Sequence, residues 1–296
     1  MSSARDLENR FLGSLLGLAI GDALGMPVAE LSVEEAREQF GVIRDYKVRD
    51  EGEETQVPAG EITDETETVL CIVESMTTNN GHIDAENVNA RLLYLAEGPS
   101  RHWMPESMQR GIREAAEREG LLPESHEPGG SLAVAVRGVP VGLMHSVGGY
   151  SAEALVEDAR TVSRLTHGGV PQQQLVVDVA VAVVDLVRTE TIERVELPGD
   201  LSSVSESRET ITAIWNRVRE GNSFEEIVFD AVNRYRPADS AGAIAGALAG
   251  AALGASAIPQ RLIDGLEARV YLSLAAPWFY RTATRRAGTV IDLRQV

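Results

Sequence analysis

Glycine recurs at every fourth position twice in this chain, at Gly13, Gly17, Gly21 and Gly25 and again at Gly242, Gly246, Gly250 and Gly254. Residues four apart lie on one face of an α-helix. A glycine inside a helix costs roughly 1 kcal/mol against alanine, so eight of them need a compensating gain. The gain on offer is close approach, because a helix face without Cβ atoms lets another backbone come into direct contact. The spacing predicts two central helices packed tightly inside the domain, each other among the candidate partners. Membrane helices use the same small-residue spacing. Asp22 and Asp239 within the two segments, and their short apolar length, argue against a bilayer here.

Elsewhere the apolar periodicity is also helical. Helices are predicted to begin near Ala4, Val33, Thr63, Ala85, Pro105, Ser131, Ser151, Pro171, Glu206, Ser223 and Asp239, most of them after turn residues such as Asn79-Asn-Gly81, Gly148-Gly149 and Gly221-Asn222. Alternation suited to strands is confined to Val42–Val48 and Val290–Leu293, and the stretch from Gly41 to Ile62 reads as a surface loop. No low-complexity linker divides the 296 residues, so one all-α domain spanning 1–296 is expected, long enough to bury a sizeable core.

The net charge of −18 argues against a nucleic-acid partner or an anionic membrane surface, since phosphate contacts need clustered Lys and Arg. It leaves room for a phosphate-bearing small molecule held by backbone amides or a metal. Cys71 is the sole cysteine, which excludes an intrachain disulfide and reads as a small core residue. Arg5, Asp6 and Glu8 break any signal-peptide pattern, and no uninterrupted apolar span is long enough for a bilayer. A cytoplasmic setting is the expectation. The oligomeric state is left open.

The chemistry concentrates in Gly60-Glu-Ile-Thr-Asp-Glu-Thr66, directly before the apolar run Val69, Leu70, Ile72, Val73, Met76. Thr63, Asp64 and Glu65 then sit on the first turn of a helix. Two readings are open. Thr63 can be a plain N-cap with acids facing the helix dipole. Alternatively, the three oxygens can hold a hard cation such as Mg²⁺. Three further polar clusters stand at helix ends: Gly21-Asp22 through Gly25-Met-Pro27 to Glu30, Thr166-His167-Gly168, and Asp239-Ser240. Taken singly, each has an ordinary capping explanation.

Taken together and in order, these segments resemble the ADP-ribosylglycohydrolase family, relatives of dinitrogenase-reductase-activating glycohydrolase and of certain eye-lens crystallins. The likeness runs from about Phe11 to about Pro259. Gly13-Ser-Leu-Leu-Gly17 through Glu30 looks like the family's opening motif, and Gly60–Thr66 like its Thr-Asp-Asp-Thr metal motif. Arg137-Gly-Val-Pro-Val-Gly-Leu143 is similar to the segment after its ribose-phosphate loop. Thr166-His167 matches its Thr-His pair, and the helix opening at Ala238-Asp-Ser240 its closing Asp-x-Asp-Thr helix. The resemblance implies a single orthogonal all-α bundle holding one or two Mg²⁺ (or Mn²⁺) ions. The implied activity is hydrolysis of an N- or O-glycosidic bond of an ADP-ribosyl or related ribosyl substrate. It implies Thr63, Asp64, Glu65, Asp239 and Ser240 as metal ligands, Glu30 and Asp64 as catalytic carboxylates, and Asp22, Gly130, Ser131 and His167 at the substrate.

The chain departs from the family pattern at four places. Glu65 stands for an Asp, Ser240 for a Thr, and Pro237 for an Asp, and proline offers no side-chain oxygen. The loop after Gly130 carries Leu132, Val134 and Val136 where the family is polar. One carboxylate fewer should weaken one of two cation sites. A relative without catalysis, serving as a binding or structural protein, is the alternative reading, and a hydrolase of another small molecule on the same fold is a third. The remaining histidines, His82, His102, His126 and His145, are expected at the surface or at caps. Trp278-Phe-Tyr280 is expected to pack the C-terminal segment onto the bundle.

Overall fold

The two glycine ladders press against each other. In the computed structural model, which describes residues 4–50, 56–98, 102–118, 120–124 and 132–288, α1 (Ala4–Gly25) and α11 (Ala238–Leu253) run antiparallel through the centre. A methyl group built on Gly17 would stand 2.1 Å from the Gly246 carbonyl oxygen, one on Gly21 1.8 Å from that of Gly242, and one on Gly250 1.9 Å from that of Gly13. No side chain fits at such distances. At the end of the ladder, Gly25 lies against Ala238 and Asp239. The C-terminus of α1 and the N-terminus of α11 are thereby brought together.

The other helices wrap this pair: α2 (Val33–Phe40), α3 (Asp64–Thr78), α4 (Ala85–Glu97), α5 (Glu106–Glu117), α6 (Gly138–His145), α7 (Ala152–Arg164), α8 (Val170–Arg188), α9 (Ser205–Arg219), α10 (Phe224–Arg234), α12 (Gln260–Gly265) and α13 (Arg269–Arg286), with a short 3₁₀ turn at Leu132–Arg137 before α6. The architecture is all-α, as expected, and one contiguous hydrophobic core runs through it. Helix starts follow local chemistry. Ser32 and Glu35 close a capping box on α2, and Ser223 and Glu226 close one on α10.

Several expectations need correction. Val42–Val48 forms no strand: Val42 and Val48 face solvent, while Ile43 is buried and Tyr46 packs partly against the core. The one strand pair among the described residues joins β1 (Arg49–Asp50) to β2 (Gln56–Val57), antiparallel with Arg49 opposite Val57. Val290–Leu293 lies outside the described residues. Two helices are in fact long and apolar enough to cross a bilayer, α1 with its extension to Val28 and α8. Their apolar windows are 94% and 83% buried within the protein, so both are core helices. The sequence reading also missed α12 and α13. Pro277 interrupts α13, and Val270, Leu274 and Trp278 stay exposed, which hides its inner face. Phe279 and Tyr280 do pack inward, their rings 5.9 Å and 5.2 Å from that of Phe11. His145 is not at the surface. It is buried between α6 and α7 with its Nε2 2.7 Å from Asp158, which also accepts from Arg286.

Candidate active site

Asp22 follows Gly21 on α1 and is fully buried. Its carboxylate caps α3 from another helix. Oδ2 accepts the Thr63 N–H at 2.9 Å, the Thr66 N–H at 3.3 Å and the Thr66 hydroxyl at 2.5 Å. These amides are among the four donors that a helix start leaves without partners. Thr63 occupies the N-cap position, yet its hydroxyl makes no capping bond. That hydroxyl lies 2.7 Å from Asp22 Oδ1 and 2.6 Å from Glu65 Oε2, one proton between two carboxylate oxygens. The plain N-cap reading of Thr63 is therefore replaced. Asp22 is the cap, and Thr63 is freed for the acids.

The first turn of α11 supplies the other half. The Ser240 hydroxyl donates to Glu65 Oε1 at 2.7 Å, and the Ser240 N–H donates to Asp239 Oδ1 at 2.7 Å. Glu65 thus links α3 to α11, with Thr63 on one oxygen and Ser240 on the other. Pro237, at the N-cap position of α11, provides no cap hydrogen bond. Three helices meet here because the glycine ladder holds α1 and α11 at backbone contact.

The electrostatics follow from that crowding. Burial pushes the Asp22 carboxyl up to about 7, with the Glu65 charge adding to it, against the hydrogen bonds from Thr66 and Thr63. Burial, then the charges of Glu65, Asp239 and Asp22, hold Asp64 well above the usual carboxylate range. Asp239 is raised likewise by burial, Glu65 and Asp22. Arg137 is the nearby countercharge. Burial pulls its guanidinium down to about 10 although Asp64 and Glu65 favour its charge. Its Nη1 donates to the Val162 carbonyl at 3.2 Å and to Thr166 Oγ1 at 2.5 Å, and that hydroxyl lies 2.7 Å from His167 Nδ1. The Thr166 hydroxyl, which accepts from Arg137, thereby ties the His167 ring to that arginine through Nδ1.

Among the described residues no three His, Cys, Asp or Glu side chains converge as a ready-made cation cage. The donor chemistry still fits a hard divalent ion. Thr63, Asp64, Glu65, Asp239 and Ser240 offer only oxygens, and a cation would relieve acids that repel one another in a buried place. Three carboxylates, Asp64, Glu65 and Asp239, stand beside those hydroxyls, while Asp22 is fully buried beneath them and capped onto α3.

The expected site residues separate accordingly. Thr63, Asp64, Glu65, Asp239 and Ser240 come together. Asp22 joins them fully buried, with its carboxylate engaged by Thr63 and Thr66. His167 lines the same recess as Asp64. Glu30, just past the end of α1, has its side chain 80% exposed and paired with Arg49 at 3.2 Å. Gly130 and Ser131 lie outside the described residues. The residues that sequence reasoning missed are Thr66 and Arg137. The signal for Arg137 was a lone charge inside the apolar run from Leu132 to Leu143. On the neighbouring face of α3, Glu67, Leu70 and Glu74 border a cavity of about 880 Å³ shared with Arg91, Trp103 and Tyr271. That is within the roughly 300–1,000 Å³ typical of ligand sites.

The sequence profile of ADP-ribosylglycohydrolases matches residues 3–288. The chain belongs to the ADP-ribosylglycohydrolase family. A protein of Archaeoglobus fulgidus is 30% identical over 318 aligned residues, covering 94% of this chain and 98% of that one. The ADP-ribosyl-[dinitrogen reductase] glycohydrolase of Rhodospirillum rubrum is 32% identical over 108 residues, 36% of this chain and 35% of that protein. A solved ADP-ribosylglycohydrolase-related protein complex superposes with a TM-score of 0.69 at 26% identity, covering 94% of this chain and 99% of the other. Family membership accounts for the ordered motifs from α1 to α11.

Proposed function

We propose that the protein is a divalent-cation-dependent hydrolase of an N- or O-glycosidic bond on an ADP-ribosyl or related ribosyl substrate. The observation that carries this reading is the meeting of buried Asp64 and Glu65 with Asp239 and with the buried hydroxyls of Thr63 and Ser240. Mg²⁺ or Mn²⁺ held there would supply electrostatic stabilisation and an activated water. The chain's own residues do the rest. Asp22 fixes Thr63 and Thr66, and so the first turn of α3. Asp64 and Glu65 place negative charge where an oxocarbenium-like carbon needs it. The Arg137–Thr166–His167 chain fixes the position of the imidazole beside Asp64. Glu30 would serve as the second catalytic carboxylate only after exchanging Arg49 for the substrate.

With three carboxylates available, a single cation is expected to bind tightly. Release of ADP-ribose from ADP-ribosyl-arginine or ADP-ribosyl-serine should require Mg²⁺ or Mn²⁺ and stop with a chelator. Asp64→Asn should abolish both that release and the cation-induced rise in Tm. A second reading, a relative that binds without hydrolysis, is favoured by Pro237 standing where an oxygen donor is expected. No release from either substrate, with no thermal shift on adding Mg²⁺ or Mn²⁺, would decide for it.

A further inference from the structure

Thr68 and Arg137 share an unusual condition. Each is 2% exposed, and each keeps one polar atom without a hydrogen-bond partner, Thr68 Oγ1 and Arg137 Nε. A helical threonine ordinarily returns its hydroxyl to the carbonyl four residues back. Two threonines of the same helix do so, Thr77 to Val73 at 2.6 Å and Thr78 to Glu74 at 2.9 Å. Thr68 does not. Buried polar groups without partners are rare and costly, so two of them in one place call for a reason. They are in one place: both residues line a chamber of about 60 Å³ whose wall also includes Asp64, Glu65 and His167.

We propose that this chamber is a subsite for a neutral, oxygen-bearing group of the substrate, a sugar ring hydroxyl, held by Thr68 Oγ1 and Arg137 Nε–H beside Asp64. Arg137 Nε can only donate, whereas a threonine hydroxyl donates or accepts, so the occupant must present an acceptor oxygen. An anion is disfavoured by Asp64 and Glu65 in the wall. A cation is disfavoured by the Arg137 guanidinium. The volume admits a group of a few heavy atoms, and its apolar side, Val134 and Val136, suits the carbon that carries the hydroxyl. The proposal rests on the reading of Asp64 and Glu65 as the reaction site, and it adds the contact that orients the sugar against them.

Thr68→Val is the discriminating variant, because it keeps the shape and removes an unsatisfied hydroxyl. Tm without ligand should be unchanged or higher, since a buried polar group without a partner is lost. Calorimetry with ADP-ribose in Mg²⁺ should show Kd weakened by about fivefold to tenfold, the value of one hydrogen bond. Analogues of ADP-ribose lacking one hydroxyl of the distal ribose, and free ribose, complete the cycle. For one analogue, wild type should lose the same factor that Thr68→Val has already lost, and the variant should lose nothing further. Equal affinity of wild type and Thr68→Val for ADP-ribose and ribose would overturn the proposal, leaving the chamber a water site. So would the absence of any sugar binding to wild type. Ribose binding that weakens in Thr68→Val would uphold the subsite even if no ADP-ribosyl bond is cleaved. Full cleavage with an unchanged KM in the variant would overturn the subsite while leaving the hydrolase reading intact.

Discussion

Gly246→Ala places a methyl group 1.8 Å from the carbonyl oxygen of Gly17. Ordinary contact between such atoms is about 3.4 Å, so α1 and α11 must part by roughly 1.5 Å or bend. A gap of 0.5–1 Å already forfeits a quarter to a half of the dispersion attraction across it, so a gap of about 1.5 Å forfeits most of it along the interface. Both helices are buried along this contact, with Leu18 and Ile20 on α1 and Ile244 and Leu248 on α11 all removed from solvent. Alanine returns roughly 1 kcal/mol of helix propensity. Overpacking of a core costs about 1–3 kcal/mol when neighbours can give, and backbone on a central helix gives least, so a net loss of about 3–5 kcal/mol is expected. The assay is urea unfolding followed by circular dichroism, with Gly149→Ala as the control. A methyl on Gly149 meets nothing within 4 Å, and that variant should fall within about 0.5 kcal/mol of wild type. Should Gly246→Ala match the control, direct backbone contact between the two ladders is refuted. Because the ladder also brings Asp22 to Thr63 and Ser240 to Glu65, the same variant should weaken cation binding.

Asp22 has a native pKa raised from 3.8 to about 7. The folded state therefore binds the extra proton between those values, and stability without cation should fall as pH rises through that window, by on the order of a few kcal/mol. Urea midpoints in EDTA at pH 5 and pH 7.5 read this directly; a midpoint that rises with pH contradicts it, and Asp22→Asn should reduce the dependence without abolishing it, because Asp64 and Asp239 are raised as well. Burial, with the Glu74 charge adding, pushes the Cys71 thiol up to about 12. Native protein at pH 8 should accordingly resist a thiol reagent that labels it fully in denaturant, and rapid native labelling would disprove the burial. His145→Ala leaves Asp158 with Arg286 alone and a buried gap between α6 and α7, so a loss of about 1–3 kcal/mol is expected in the same unfolding assay.

Much of this was legible along the chain, for a local reason. Helix starts announce themselves through residues that bond to amides only three positions away, as at Ser32 and Ser223. A glycine ladder announces close packing because nothing else offsets eight helix-interior glycines. α13 escaped because its inward residues, Phe279 and Tyr280, are interleaved with exposed Trp278 and follow Pro277, so no clean stripe is visible. His145 escaped because its partners are 13 and 141 positions away in sequence, Asp158 directly and Arg286 through it. Thr63 was legible as a helix start but not as a freed hydroxyl, since the residue that caps in its place lies 41 positions earlier.

The sequence by itself determined that two glycine helices would pack tightly inside the domain, and that oxygen-rich first turns would stand after the first and at the start of the second, because spacing and residue type act within one helix. The tertiary structure alone decided that Asp22 caps α3, that Glu30 pairs with Arg49, that Arg137 is the countercharge beside Asp64 and Glu65, and that Thr68 is left with an unused hydroxyl. Each of those outcomes depends on which long-range partner reaches a carboxylate or a donor first. That is settled by the crossing of α1, α3 and α11, a quantity no local pattern carries.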